Sequence, residues 1–402
     1  MRRPLASLLV AEAVSLAGSH VSSVAVPWLV LTTTGSATRI GTVALAQTLP
    51  FVLAGMFGGP LVDRLGARRV AIVSDAASAA VVALVPLLHV LGLLSFGPLV
   101  AIVAAAGALG GATNTAKRAL LPQAAGDTPM ARATALFDGI GRAAILVGLP
   151  LGGVLVAAIG PAAVLAIDAA SFAAGAAVIA AGVCGPTSVK TGEPGESYLA
   201  SLAAGFAFLR RDKLFALIVG VLFFTNLADQ AYSIVFVPVW VRESGAGPAV
   251  LGLLGGVFGL GAVVGSLLYA ALATRLPRVP TFAVCFLLAG SPRFFALAAT
   301  GRLWPVLAIA FGAGLAVAAV NPILMALGYE RVPAHLRGRV LGLAVAIGFA
   351  GVPLGGLLGG LAVDHAGPRP ALLLAGGLYL AVSLVPFTLA QRRIDDRSLV
   401  PG

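Results

Sequence analysis

The chain is a succession of apolar stretches, each near or above the ~20 residues that a helix needs to cross a bilayer, separated by short charged turns. A water-soluble domain could not hide them. Of 402 residues, 59% are hydrophobic and 10% charged, so most of the apolar surface must face lipid or other helices. Reading apolar windows between Gly, Pro and charge clusters places spans at roughly 5 to 31, 39 to 61, 70 to 91, 97 to 116, 133 to 158 and 162 to 184 in the first half. In the second half they fall at roughly 214 to 241, 248 to 273, 281 to 300, 304 to 327, 340 to 363 and 370 to 390. The expected fold is an all-α membrane protein with twelve transmembrane helices.

The formal charge of +11 is distributed over alternate turns instead of gathered into the patch that nucleic acid would require, and no nucleic-acid partner is expected. One set of turns carries Arg2, Arg3, Arg64, Arg68, Arg69, Lys117, Arg118, Arg132, Lys190, Arg210, Arg211, Lys213, Arg275, Arg278, Arg331, Arg337, Arg339, Arg392, Arg393 and Arg397. The opposite set has Arg39, Arg242, Arg302 and Arg369. The positive-inside rule places both termini in the cytoplasm of a cell inner membrane. The apolar run after Arg3 contains Glu12 and continues to Leu31, too long and too polar for a cleaved signal, so it is read as the first span. Residues 185–213 form the one long polar interruption, dividing the chain into a six-helix bundle over 1–184, a cytoplasmic linker and a second bundle over 214–402. Leu202, Phe206 and Leu209 share one helical face ahead of Arg210, Arg211 and Lys213, which suits a helix lying on the membrane surface.

The two halves repeat. Gly148-Leu149-Pro150-Leu151-Gly152-Gly153 recurs as Gly351-Val352-Pro353-Leu354-Gly355-Gly356, and each precedes a Gly-Pro turn, Gly160-Pro161 and Gly367-Pro368. Small residues at helical spacing, Gly55 and Gly59, Gly148 and Gly152, Gly252 and Gly256, and Gly351 and Gly355, mark helices that approach closely or rock against one another. Between the second and third spans lies GGPLVDRLGARRV, read as a short turn dense in opposite charges: Gly59, Asp63, Arg64, Gly66, Arg68 and Arg69. Asp63 can accept from a helix N-terminus or an Arg, while Arg68 and Arg69 can meet an acid or a lipid phosphate.

This segment resembles the signature loop of the major facilitator superfamily, and the preceding VPWLVLTTTGSATRIGTVALAQTLP is similar to the branch of enterobactin and macrolide exporters. The resemblance covers nearly the whole chain. It implies two pseudo-symmetric six-helix bundles, alternating access, and a cytoplasmic latch built on Asp63 and its neighbouring Arg residues. Two departures bear on function. The proline of the Gly-Leu-Pro-Leu-Gly-Gly segment stands one position later than in the antiporter motif, and Lys117 and Arg118 are read at the cytoplasmic end of the fourth span, leaving no basic residue within it.

Ionisable and amide groups inside spans are costly and usually serve a purpose. Glu12, Ser15, Ser19 and Ser22 form one stripe in the first span; Asn226, Asp229 and Ser233 form another in the seventh. Asn114 and Asn321 occupy late positions in spans 4 and 10, open to a substrate or to a neighbouring helix. Substrate-cavity candidates are therefore Asn114, Asn226, Asn321, Ser15, Ser19 and Ser233. Asp138 and Arg142, four residues apart, are expected to pair as a gate. Asp75 is expected to meet Arg64, Arg68 or Arg69; Asp168 and Arg293 are read as structural or snorkelling charges. Asp229 leads the proton-coupling candidates, with Glu12 second, because no group on its own helix can neutralise it unless another helix supplies a cation.

Cys184 and Cys285 lie in apolar runs without metal spacing and are read as packing residues. His20, His89, His335 and His365 are scattered, and neither a metal nor a cofactor is expected. No nucleotide-binding loop or nucleophile–base set is present, which disfavours an ATP-driven pump or an intramembrane enzyme; that enzyme or a non-transporting membrane receptor is the lesser alternative. The expected function is secondary active, proton-coupled efflux of a small amphiphilic drug, siderophore or secondary metabolite by a monomer in the lipid bilayer. The alternative is a proton-coupled uptake symporter of the same fold.

Overall fold

A computed structural model describes residues 3–183, 206, 210–332 and 337–398. Arg2, Cys184, Lys190, His335 and most of the expected surface helix, including Leu202 and Leu209, lie outside the described residues. The described residues form helices and no strand. Among the described residues, twelve helices are long and apolar enough to cross a membrane. Spans 1 to 6 are Arg3–Thr34, Ala37–Phe57, Ala67–Val90, Phe96–Ala125, Met130–Ile159 and Pro161–Gly182. Spans 7 to 12 are Ala216–Glu243, Ala249–Leu272, Pro280–Ala299, Leu303–Ala326, Val340–Ala366 and Pro368–Val385.

Three expectations change. Span 4 does not end before Lys117 but runs on to Ala125, because Leu120, Leu121 and Ala124 keep an apolar face that is buried. The segment after span 2 is not a simple turn: Gly59–Leu65 is a separate short helix. It ends at Gly66, whose φ of +83° is open to glycine at little cost, and the next span starts there. Span 9 is broken at Gly290 into Arg278–Ala289 and Ser291–Ala299. Pro292 lacks an N–H to continue the first segment, and a Cβ at Gly290 would overlap the Tyr379 ring.

By contacts the chain divides into two units, Met1–Glu193 with Val241–Gly256, and Pro194–Trp240 with Val257–Gly402. In the first, span 1 packs on spans 5 and 6, span 2 on span 4, and span 3 on spans 4 and 6. In the second, span 7 packs on span 11 and span 9 on spans 10 and 12. The internal repeat explains the likeness. Gly152 lets span 5 approach the Val21 carbonyl of span 1, and Gly355 lets span 11 approach the Leu227 carbonyl of span 7. Gly148 and Gly351 do the same one turn earlier, against His20 and Phe223. The two Gly-Pro turns match as well: Gly160 and Gly367 have φ of +83° and +86°, and each donates its N–H to the carbonyl four residues back. These repeated glycines serve packing inside each unit. Gly55 and Gly59 meet nothing within 4 Å of a built Cβ, whereas Gly252 and Gly256 close on Gly153 and Pro150 within the first unit.

Candidate functional site

The first unit holds a buried ion cluster. Lys117 Nζ of span 4 lies 3.1 Å from Asp75 Oδ2 of span 3 and 3.4 Å from Glu12 Oε2 of span 1. Their side chains are 2%, 0% and 8% exposed, so two carboxylates share one ammonium away from bulk solvent. Leu8, Ala11, Ala71, Ala116, Leu120 and Phe137 of the same unit belong to one buried apolar cluster, and the hydroxyls of Thr113 and Ser15 lie beside Asp75. Gly175 of span 6 makes room, since a Cβ there would overlap Ser15 Oγ and come 3.3 Å from Asp75 Oδ2. A buried site of this kind is tolerable only when charge is balanced closely.

The second unit holds a different pair. Arg293 Nη2 of span 9 donates to Asp229 Oδ1 of span 7 at 2.6 Å. The guanidinium lies 4.8 Å from the Tyr232 ring centroid and 5.4 Å from that of Phe258. Tyr232, Phe294 and Tyr379 continue the aromatic wall. Asp229 remains 40% exposed while Arg293 is 9% exposed at the side chain. Both helices depart from regular geometry here. Span 7 makes a π-helical turn over Tyr232–Phe236, which accommodates Pro238, and Arg293 follows the break at Gly290.

Several sequence expectations are corrected by these contacts. Asp229 does not lack a cation, because Arg293 supplies one from 64 residues away. Asp75 meets Lys117, not the basic turn, and Lys117 stands inside its helix and inside the unit, not at an exposed end. Asp138 is bridged to Arg118 of span 4 at 3.6 Å instead of to Arg142. Arg68 forms no ion pair with an acid among the described residues; its Nη2 donates to Ala180 O at 2.7 Å, satisfying the C-terminal end of span 6. Asp63, Arg64 and Arg69 are exposed and form no ion pair among the described residues.

The amides and hydroxyls divide similarly. Asn226 Nδ2 donates to Gly348 O at 3.1 Å and ties span 7 to span 11. Asn114 Oδ1 accepts from Arg118 Nε at 3.1 Å. Asn321 and Ser233 are exposed. Ser15 is buried beside Gly175, and Ser19 donates to the Ser15 carbonyl at 3.0 Å. Asp168 is buried and accepts at Oδ1 from Ser171 Oγ at 3.4 Å. Sequence reading missed Lys117, Asp75, Arg293, Tyr232, Phe258 and Gly175 as site residues. Leu120, Leu121 and Ala124 beyond Lys117 were the available signal that its helix continues; nothing local marks the cross-helix partners.

Among the described residues no His, Cys, Asp and Glu group could hold a metal ion. Relatives share this architecture. The Multidrug efflux pump Tap of Mycobacterium tuberculosis is 32% identical over 405 residues, covering 98% of this chain and 95% of the relative. Its namesake in Mycolicibacterium fortuitum is 30% identical, covering 100% and 99%. The crystal structure of the nucleoside transporter NupG superposes with a TM-score of 0.75 at 13% identity, over 96% of this chain and 98% of that one. A bacterial homolog of the human lysosomal transporter Spinster, in an inward-facing conformation, gives 0.72 at 15% identity over 97% and 96%. These relatives and folds are transporters, not enzymes. The family model described as transmembrane secretion effector matches residues 2–402, and the chain belongs to that family of major facilitator superfamily transporters.

Proposed function

We propose that this chain exports small amphiphilic compounds across the cell membrane in exchange for protons, with Glu12, Asp75 and Lys117 as the proton-binding cluster. The observation that carries the reading is the imbalance of that cluster: two carboxylates face one ammonium, all three buried from solvent. With all three groups ionised the site holds one surplus negative charge, which the interior disfavours. One proton on either carboxyl balances it. Opening the enclosure to water lets the proton leave, so occupancy follows the access state, as coupling requires. The direction of transport is inferred from the Tap relatives.

Asp229 takes a second role in this reading. Arg293 already balances it, so it acts as a gate or substrate contact whose pair breaks and re-forms, and Glu12 replaces it as the leading coupling residue. Asp63, Arg64, Gly66, Arg68 and Arg69 keep the proposed latch role in an alternate state. The chain works as a monomer with both termini in the cytoplasm. Two cysteine variants test that orientation: Thr128→Cys and Ser244→Cys lie at opposite ends of the spans, and only Ser244→Cys is expected to react with an impermeant maleimide in intact cells.

The functional test uses everted membrane vesicles and a fluorescent amphiphilic dye. An acid-inside gradient drives dye accumulation by the wild type. Glu12→Gln mimics the protonated group and abolishes accumulation while leaving downhill dye exchange. Wild-type accumulation and gradient dependence in Glu12→Gln remove the cluster from coupling.

A further inference from the structure

The exposed faces of spans 4 and 5 carry charged groups that the proton-binding cluster does not use. Arg118 Nη1 lies 3.6 Å from Asp138 Oδ1, with the two side chains 59% and 47% exposed. Asn114 Oδ1 accepts from Arg118 Nε, and the guanidinium lies 5.6 Å from the Phe137 ring centroid. Three contacts therefore hold the fork of Arg118 in one orientation. Arg142, one turn beyond Asp138 on the same helical face, is exposed and has no ion-pair or hydrogen-bond partner among the described residues.

Depth gives these residues meaning. At a rise of 1.5 Å per residue, the 30-residue span Met130–Ile159 is about 45 Å long, so Arg142, about 18 Å from its Met130 end, lies about 10 Å inside a hydrocarbon layer about 30 Å thick centred on the span. An unpaired guanidinium facing lipid there is costly, so its exposed face meets water. Lipid phosphates lie at the membrane surface and do not reach this depth. The face thus presents two guanidiniums against one carboxylate, and that carboxylate is already engaged by Arg118.

We propose that this face of spans 4 and 5 binds an anionic group of the transported compound, a carboxylate in particular, with Arg142 as the charge contact and Arg118 as the oriented donor. Planar carboxylates match the guanidinium fork, and a surplus guanidinium supplies the attraction. The inference rests on the transport reading for the compound's being cargo, but the site is tested by binding alone.

The experiment measures fluorescence polarisation of two dyes with related ring systems, anionic fluorescein and cationic rhodamine 6G, on purified protein in lipid nanodiscs. The wild type binds fluorescein more tightly than rhodamine 6G. Arg142→Gln weakens fluorescein by about tenfold or more, the scale of one charge-assisted hydrogen bond, and tightens rhodamine 6G. Arg142→Lys keeps fluorescein affinity within about threefold of the wild type, since the charge remains. Asp138→Asn removes the carboxylate that competes for Arg118 while Asn114 and Phe137 still orient its fork, and it tightens fluorescein, a gain that misfolding cannot imitate. The proposal is overturned by a wild type that does not prefer fluorescein, by equal losses for both dyes in Arg142→Gln, or by weaker fluorescein binding in Asp138→Asn. Fluorescein binding that follows these rules without movement into everted vesicles would instead break the transport reading and leave the site standing.

Discussion

The two ion clusters differ in the way that most affects what each can do. In the first unit Glu12, Asp75 and Lys117 are nearly inaccessible and carry unequal numbers of acids and bases. In the second, Asp229 and Arg293 are matched one to one, and the carboxylate is 40% exposed beside Tyr232 and Phe258. Yet the helices that carry them pack alike, with span 1 on span 5 and span 7 on span 11 through glycines of the same repeated segment. Backbone packing in this chain follows its internal repeat, and the paired charges fall on repeat-equivalent spans, 1 and 3 in the first unit and 7 and 9 in the second. What differs is their sign and number: small residues fix how closely two helices approach without fixing which charge a polar position carries.

The largest expected effect tests whether the first cluster is as closed as it looks. Lys117→Met strands two buried carboxylates and is expected to cost about 3–5 kcal/mol, read as a fall in thermal unfolding temperature in detergent. Combining it with Glu12→Gln and Asp75→Asn restores most of the loss, because no buried charge remains. Without that recovery, Lys117 matters by its packing and not by its charge.

Arg293→Met gives the matching measurement in the second unit. Asp229 can hydrate through its exposed side, so the cost is smaller, about 1–3 kcal/mol. A loss equal to that of Lys117→Met ends the distinction between a closed and an open cluster. Gly175→Val sharpens it from another side: the added side chain has no space beside Ser15 and Asp75. Gradient-driven dye accumulation is expected to fall in this variant by more than in Gly220→Val, where a built Cβ meets nothing within 4 Å.

Smaller effects belong to the exposed charges. Asp138→Asn removes an ion pair open to solvent and changes stability by less than about 1 kcal/mol. Asp63→Asn, which breaks no ion pair among the described residues, leaves unfolding unchanged and is expected to shift the inward/outward population, read from spin-label distances. Unaltered distances and transport rate in that variant remove the latch.

Much of the architecture was legible because each requirement is local. A span announces itself by about 20 apolar residues, and Gly160-Pro161 and Gly367-Pro368 announce their turns by residue type. The short helix Gly59–Leu65 and the break at Gly290 were less legible. The first lies in a segment whose charges read as a turn, and the second in one whose apolar content is compatible with an unbroken span. Asn226 shows the same limit at a single residue: its place on a polar stripe was plain, but its bond to Gly348 O lies 122 residues away.

The sequence by itself determined that this chain crosses a membrane many times, that its halves repeat, and which polar groups the membrane must accommodate, because hydropathy and turn chemistry act over a few neighbouring residues. Tertiary structure alone decided which charges meet. Asp229 has no cation on its own helix, and its pairing with Arg293 follows from the packing of span 7 near span 9. Lys117 reads as an exposed loop charge until spans 1, 3 and 4 close around it. Ion pairing depends on distances of a few ångströms between side chains far apart in sequence, and those distances exist only after the helices have packed.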